Sequence, residues 1–194
     1  MGDSNASKAG RRRMPKPLDR RRLRDLALSY VARFSTSAGK LDAYLLRKVR
    51  EKGWSDDGQP EIPSLVEDFI AKGYVDDRVY ASARANALLA RGYGARRVEQ
   101  DLRGAGIEES LRGELAPSDF DARQAAAAFA RRRRFGPFDT AQRDDDPAAR
   151  FKLREKQLAA MVRAGHDFDK ARRVIEAASV GELEKWCAEA EIEW

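Results

Sequence analysis

The chain has 194 residues, of which 42% are hydrophobic and 36% are charged, and its net charge is +6. The charged fraction exceeds the roughly one quarter that is typical of globular domains, which favours an extended shape with much surface. The single cysteine, Cys187, excludes an internal disulfide, and no apolar run is long enough to span a bilayer, so we expect a cytoplasmic protein without membrane association.

Charge is distributed unevenly along the chain. Residues 1–24 carry nine basic and two acidic side chains, whereas residues 180–194 carry one basic and five acidic side chains. Residues 1–17 lack apolar periodicity and contain Gly, Ser and Pro, which predicts a disordered basic arm. The arm is interpreted as facing a polyanion, and residues 180–194 as a separate acidic C-terminal tail.

Helical periodicity begins after the predicted arm. Apolar residues at three- and four-residue spacing predict a helix with one apolar face over residues 19–34. Ser37 is one of three possible caps of a second helix, which has apolar residues every four positions and ends at Gly53. A polar loop at residues 55–60 then precedes a short helix that begins at Ile62.

The same order of elements recurs twice more. Longer helices are predicted at residues 77–91 and 119–134, second helices end at Gly106 and Gly165, and short third helices begin at Ile107 and Phe168. Glycine directly after a helix is the usual left-handed stop. No segment has the alternation typical of a strand. We therefore predict an all-α fold of three tandem three-helix, helix-turn-helix-like repeats in an elongated, curved array.

The predicted boundaries follow from these patterns. They are a basic arm at residues 1–17, repeats at residues 18–75, 76–117 and 118–179, and an acidic tail at residues 180–194. Because each repeat is too small for a large core, we expect neighbouring repeats to support one another. We expect the stop glycines and the loops at residues 55–60 and 135–140 to let the repeats adjust relative to one another.

Residues for catalysis or metal binding are sparse. His166 is the only histidine, and it follows a helix stop, where an imidazole can hydrogen-bond backbone carbonyls. Cys187 has no basic neighbour except Lys185, so we interpret it as apolar and unreactive. Acidic runs at residues 76–77 and 144–146 precede helices and are interpreted as N-caps. The sequence predicts no enzyme activity, no cofactor and no metal.

Basic side chains carry the stronger functional signal, because they recur on the corresponding helix of each predicted repeat. A charge run is usually a solvated helix face, but this recurrence favours contacts with phosphates or carboxylates, which arginine binds through paired hydrogen bonds. The candidate partner- or DNA-binding residues are Arg47, Lys48, Arg91, Arg96, Arg97, Arg103, Arg131, Arg132, Arg133, Arg134, Lys152, Arg154, Lys156 and Arg163. The residues alone leave open whether the partner is nucleic acid, an acidic protein face, or both.

Two segments resemble the central signature of the RecX family, bacterial regulatory proteins that act on the recombinase RecA. They are "GYVDDRVYA" at residues 73–81 and "RGYGARRVEQDLRGAGI" at residues 91–107. The first predicted repeat is similar to the family's opening helix pair at residues 30–49, with Ser37 at the start of its second helix. The third departs from the family, because "RAGHDF" at residues 163–168 stands where Arg-Gly-Phe is usual.

The resemblance implies three tandem three-helix modules without catalytic residues. It also implies binding to the RecA filament on single-stranded DNA, with inhibition of strand exchange, ATP hydrolysis and co-protease activity in recombination, DNA repair and the SOS response. The expected partners are the RecA filament and, weakly and in a salt-dependent way, single-stranded DNA; we expect a monomer. The alternative is a stand-alone DNA-binding protein, nucleoid-associated or repressor-like, that uses the basic arm and the helix-turn-helix-like units.

Overall fold

The computed structural model describes residues 16–140 and 146–190. Most of the predicted arm, the acidic residues 144–145 and residues 191–194 of the predicted tail lie outside this part of the chain. The described residues form ten α-helices, one 3₁₀ turn and no strand, which confirms the all-α prediction. The helices are α1 (Arg20–Val31), α2 (Ala38–Lys52), α3 (Ile62–Ala71), α4 (Asp77–Ala90), α5 (Ala95–Gly104), α6 (Glu109–Glu114), α7 (Asp119–Arg133), α8 (Pro147–Arg163), α9 (Phe168–Glu176) and α10 (Val180–Glu189), and the 3₁₀ turn is Gly136–Phe138.

Helices α1, α2 and α3 surround one buried cluster and are called the first helix group. Helix α2 begins after Ser37, whose hydroxyl accepts a hydrogen bond from the Lys40 amide at 3.2 Å. It ends at Gly53, which has a φ of +82°. Between these ends, Leu41 and Leu45 are fully buried. The buried cluster contains Leu18, Leu23, Ala27, Leu41, Leu45, Ile62, Val66, Phe69 and Val75.

Helices α4, α5 and α6 form the second helix group. Asp76 caps α4 by accepting from the Val79 amide at 2.9 Å, and α5 is followed by Gly106 with a φ of +75°. Arg84 on α4 donates two hydrogen bonds, of 2.6 and 2.8 Å, to Asp101 on α5. These bonds hold the pKa of Asp101 below its usual value. The buried cluster contains Tyr80, Ala81, Ala85, Leu88, Val98, Leu102, Ala105 and Ile107.

Helices α7 to α10 form the third helix group. Ser118 and Asp121 form a reciprocal capping box at the start of α7. The 3₁₀ turn and α9 pack beside α7, and the second half of α8 contacts α9. The buried cluster contains Ala126, Phe129, Ala130, Leu158, Met161, Ala164, Ala171, Val174, Ile175, Ala177 and Leu183.

Helix α10 differs from the separate acidic tail expected from the charge count. Leu183 and Cys187, one turn apart, are buried against the third group, and Arg123 of α7 donates to the Trp186 carbonyl at 2.7 Å. The Arg123 guanidinium also lies 4.9 Å from the Trp186 ring centroid. The apolar pair at i, i+4 spacing therefore places the described part of this segment on the body of the protein.

The first and second helix groups meet where the start of α2 lies against the end of α5. The Ser37 hydroxyl donates to the Ala105 carbonyl at 2.5 Å, and the Ala38 amide donates to Asp77 at 2.8 Å. Gly39 lies so close to Gly106 that a Cβ added to Gly39 would be 2.9 Å from the Gly106 Cα. The two helix groups therefore touch through their backbones.

The second and third helix groups meet in the same way. The Gly94 amide donates to the Ala164 carbonyl at 3.0 Å, and the Arg96 amide donates to the Gly165 carbonyl at 3.1 Å. The two junctions are equivalent. Ser37 before α2 and Gly94 before α5 each contact the alanine that precedes a stop glycine of the next group. Gly39 and Arg96, two positions later, then contact those stop glycines, Gly106 and Gly165.

These contacts correct the expectation that glycines would make the helix groups adjustable. Gly106 and Gly165 have positive φ angles, as expected of helix stops, but each is packed against backbone of a neighbouring group. In the loop at residues 135–140, Gly136 donates to the Gln157 side chain at 3.1 Å, and a Cβ there would be 3.0 Å from the Ile175 Cα. Close approach of backbones, not freedom of movement, is the role of these glycines.

We predict that Gly94→Ala destabilises the protein and Gly104→Ala does not. Gly94 has an ordinary φ of −80°, but an added Cβ would overlap the Gly165 backbone, an overpacking that costs about 1–3 kcal/mol. Gly104 is the last residue of α5 and has nothing within 4 Å of an added Cβ, so alanine there gains helix propensity. Urea unfolding of both variants measures the difference, and equal stabilities would contradict the junction geometry.

Candidate functional site

The candidate site is a basic surface where the second and third helix groups meet. We call it the junction surface, and its residues are Arg91, Arg96, Arg97, Arg132, Arg133, Lys156 and Arg163. Each of these side chains is exposed, and none forms an ion pair within the described part of the chain. Their charges are therefore available to a partner.

Tyr93 organises the part of the junction surface that comes from the second helix group. It lies between α4 and α5 and packs against the buried clusters of both groups. The guanidinium carbons of Arg91 and Arg97 lie 5.3 and 5.9 Å from its ring centroid. Because the ring is held by two cores, the two guanidinium groups share one fixed support.

Phe129 organises the adjoining part from the third helix group. The guanidinium carbons of Arg132 and Arg133 lie 5.7 and 5.9 Å from its ring centroid. Its backbone lies against Gly92, where a Cβ would be 2.7 Å from the Phe129 amide nitrogen. The loop that carries Arg91 thus touches the helix that carries the other two arginines.

A groove of about 370 Å³ extends the junction surface between the end of α7 and α8. Arg133, Lys156 and Arg163 line it together with the apolar side chains of Phe135 and Leu153. Among the described residues that line this groove, none carries a carboxylate. Three cations without a counter-charge suit a phosphate or an acidic side chain of a partner.

Five other predicted site residues lie away from the junction surface and pair with carboxylates of the chain. These pairs are Arg47 and Lys48 with Glu51, Arg103 with Glu99, Arg131 with Glu184 and Arg154 with Glu176. The Lys48 hydrogen bond is the main cause of the lowered pKa of Glu51. The two remaining predicted residues, Arg134 and Lys152, are exposed and have no ion pair within the described ranges.

Sequence reasoning did not identify which arginines pair with carboxylates of the chain. Arg112 and Arg123 have mostly covered side chains and pair with Glu99 at 3.1 Å and with Asp119 at 2.6 Å. Sequence reasoning also missed Tyr93 as the support of the junction surface. Its signal is an aromatic residue directly before the glycine that caps α5, followed by arginines in the first turn of that helix.

His166 links the second and third helix groups. It is buried, and its Nε2 lies 3.0 Å from the Gly92 carbonyl, so the nitrogen donates and the carbonyl accepts. This confirms the expected hydrogen bond to a carbonyl. The imidazole also meets the Phe129 ring edge-on at 5.5 Å, and burial lowers the pKa of His166.

The described residues contain no cluster of three or more His, Cys, Asp or Glu side chains that could hold a metal ion. Among the helices of the same ranges, none combines the length and the apolar character needed to cross a bilayer. Burial raises the pKa of Cys187, which keeps its thiol protonated.

The chain is similar to known proteins in both sequence and fold. It is 30% identical over 163 residues to the regulatory protein RecX of Myxococcus xanthus (strain DK1622), an alignment that covers 80% of this chain and 84% of the relative. The crystal structure of RecX from Lactobacillus salivarius has a TM-score of 0.61 to this chain at 13% identity. That match covers 86% of this chain and 97% of the other and shows a shared fold. No protein-family model matches the chain.

We predict that acidification destabilises the protein through His166. Because its pKa is lowered on folding, the unfolded chain takes up the proton first as the pH falls below about 6.5. The stabilising contribution is complete above that pH and is lost as the pH falls toward the pKa of the folded state. The free energy of unfolding should fall less between about pH 7.5 and 5 in His166→Gln than in the unchanged protein. Identical slopes in urea unfolding series would contradict this.

Proposed function

The chain belongs to the RecX family of regulatory proteins, and we propose that it regulates RecA without catalysing a reaction. It binds RecA filaments on single-stranded DNA and inhibits their recombinase, ATPase and co-protease activities. The observation that carries this proposal is the junction surface, which presents unpaired arginines from two helix groups at a rigid backbone contact.

The helix groups are interpreted as three tandem repeats in an elongated, curved array. The equivalent contacts at the two junctions support this interpretation, since copies of one unit stack through copies of one interface. An array with repeated geometry suits a filament, whose subunits also repeat. Weak contacts to successive subunits then combine, because the first contact raises the effective concentration of the others.

Arginine chemistry agrees with a polyanionic partner. A guanidinium group binds both phosphate and carboxylate through paired hydrogen bonds, so the junction surface suits the DNA backbone or acidic side chains of RecA. Contacts to DNA phosphates release counterions and weaken steeply with salt. A salt series therefore separates the DNA share of binding from the protein share.

The alternative function is stand-alone DNA binding. Arg96 and Arg97 project from the first turn of α5, the position from which a recognition helix of a helix-turn-helix unit contacts DNA. The two functions differ in their concentration dependence. A RecA regulator suppresses ATP hydrolysis at concentrations below those at which it coats naked DNA, whereas a stand-alone DNA-binding protein does not.

We predict that the double change Arg91→Glu, Arg96→Glu abolishes or strongly weakens inhibition of RecA. Reversing two unpaired charges places like charges against the polyanion, so the concentration for half-maximal inhibition should rise by about tenfold or more. Arg97 is left unchanged because its Cβ packs against Gly165. The measurement is RecA-dependent ATP hydrolysis on single-stranded DNA.

The matched control is the double change Arg78→Glu, Arg172→Glu. These side chains are 62% and 55% exposed and lie outside the junction surface. The control carries the same charge change and should inhibit RecA like the unchanged protein. If the Arg91 and Arg96 variant also inhibits normally, the junction surface is ordinary solvated surface and the proposed role is wrong.

A further inference from the structure

Three aromatic rings of the first helix group form a ladder that ends in solvent. Tyr30 stacks on Tyr44 with ring centroids 4.1 Å apart and an angle of 14° between the rings. The Phe34 ring centroid lies 5.3 Å from that of Tyr30, at an angle of 50° between the rings. Phe34 is 56% exposed, although a phenylalanine is usually buried.

The ladder is fixed by two helices and their common core. Tyr30 lies in the last turn of α1 and Phe34 in the turn that follows the helix, where the Phe34 amide donates to the Tyr30 carbonyl at 3.0 Å. Tyr44 is on α2, and both tyrosines pack against the buried cluster of the first group. The exposed ring of Phe34 is therefore held in place by the rings beneath it.

Cations lie beside the Tyr44 end of the ladder, and a further basic residue directly precedes Phe34 in the sequence. The Arg47 guanidinium carbon and the Lys48 ammonium nitrogen lie 5.6 and 5.8 Å from the Tyr44 ring centroid. Arg33, next to Phe34 in sequence, is exposed and has no ion pair within the described part of the chain. Glu51 offsets only one of these three positive charges. We call Arg33, Arg47, Lys48 and the three rings the aromatic platform.

We propose that the aromatic platform binds single-stranded DNA, with a base stacked on Phe34 and phosphates beside Arg33 and Arg47. Exposed rings interleaved with cations are the usual means of binding single strands, because every base has a face that can stack and every nucleotide carries a phosphate. Duplex DNA keeps its bases paired and stacked internally, so this site selects single strands. The inference deepens the proposed function but does not require RecA for its test.

The surroundings of Phe34 favour a nucleic acid over a protein as the occupant. The core of a protein–protein interface is depleted of lysine, whereas surfaces that bind single strands combine rings with several cations. The platform combines its rings with Lys48 and two arginines, of which Arg47 has a side chain that is 63% exposed. This arrangement complements a strand in which bases alternate with phosphates.

The test is a titration of the full chain, without RecA, into a labelled thymidine oligonucleotide and into the same backbone with abasic central nucleotides. Fluorescence anisotropy measures the affinity. Stacking of a base on an aromatic ring predicts that the unchanged protein binds the thymidine strand about five- to tenfold more tightly. Equal affinities for the two strands overturn the proposal, and this comparison needs no variant.

Phe34→Ala should remove the difference between the two strands, and Phe34→Trp should retain it. Phe168→Ala is the matched control, since Phe168 is 51% exposed and also lies beside an arginine, Arg172. Arg47→Ala should instead weaken binding to both strands equally and reduce the salt slope by about one unit. If Phe34→Ala changes inhibition of RecA but not oligonucleotide binding, the platform contacts protein and the proposal is wrong.

The proposed function and this inference fail in different ways. If the protein distinguishes the two strands through Phe34 but leaves RecA-dependent ATP hydrolysis unchanged, the regulatory role is wrong and the proposal for the aromatic platform stands. If the protein inhibits RecA but binds thymidine and abasic strands equally, the proposal for the aromatic platform is wrong and the regulatory role stands.

Discussion

Direct contact between backbones at two junctions determines where the side chains of the candidate site lie. Gly39 against Gly106, and Gly94 against Gly165, leave no space for a Cβ, so each neighbouring helix group is held at one distance. The second contact also sets the first turn of α5, because the Arg96 amide donates to the Gly165 carbonyl. The positions of the junction-surface arginines therefore depend on glycines that lie at the contact between two helix groups.

The outer sides of the first and third helix groups are covered by elements of the same group. At Gly53 the carbonyl accepts from the Leu18 amide at 2.9 Å, so a segment of the first group occupies the place that a neighbouring helix occupies at Gly165. At the other end, α10 covers α7 with Leu183 and Trp186. In the interpretation as tandem repeats, these two elements protect the terminal units, which otherwise expose an apolar face.

The sequence predicted the features that depend on local signals. Apolar spacing and stop glycines identified helices α1 to α9, because both signals act within one or two turns. Helix α10 was missed because the acidic count outweighed a single apolar pair, Leu183 and Cys187. The role of an arginine is not a local property: Arg84 is bound by Asp101 on another helix, whereas Arg91 has no such partner in the described ranges.

The two proposals together imply a selectivity that neither surface has alone. Helix α2 carries Arg47 of the aromatic platform near its end and forms the first junction at its start, so platform and junction surface are joined through packed backbone. Under these proposals, a naked single strand engages only the platform and free RecA engages only the junction surface. A filament would engage both surfaces at fixed spacing, and because a rigid scaffold loses little entropy when both are engaged, the two proposed affinities would combine there.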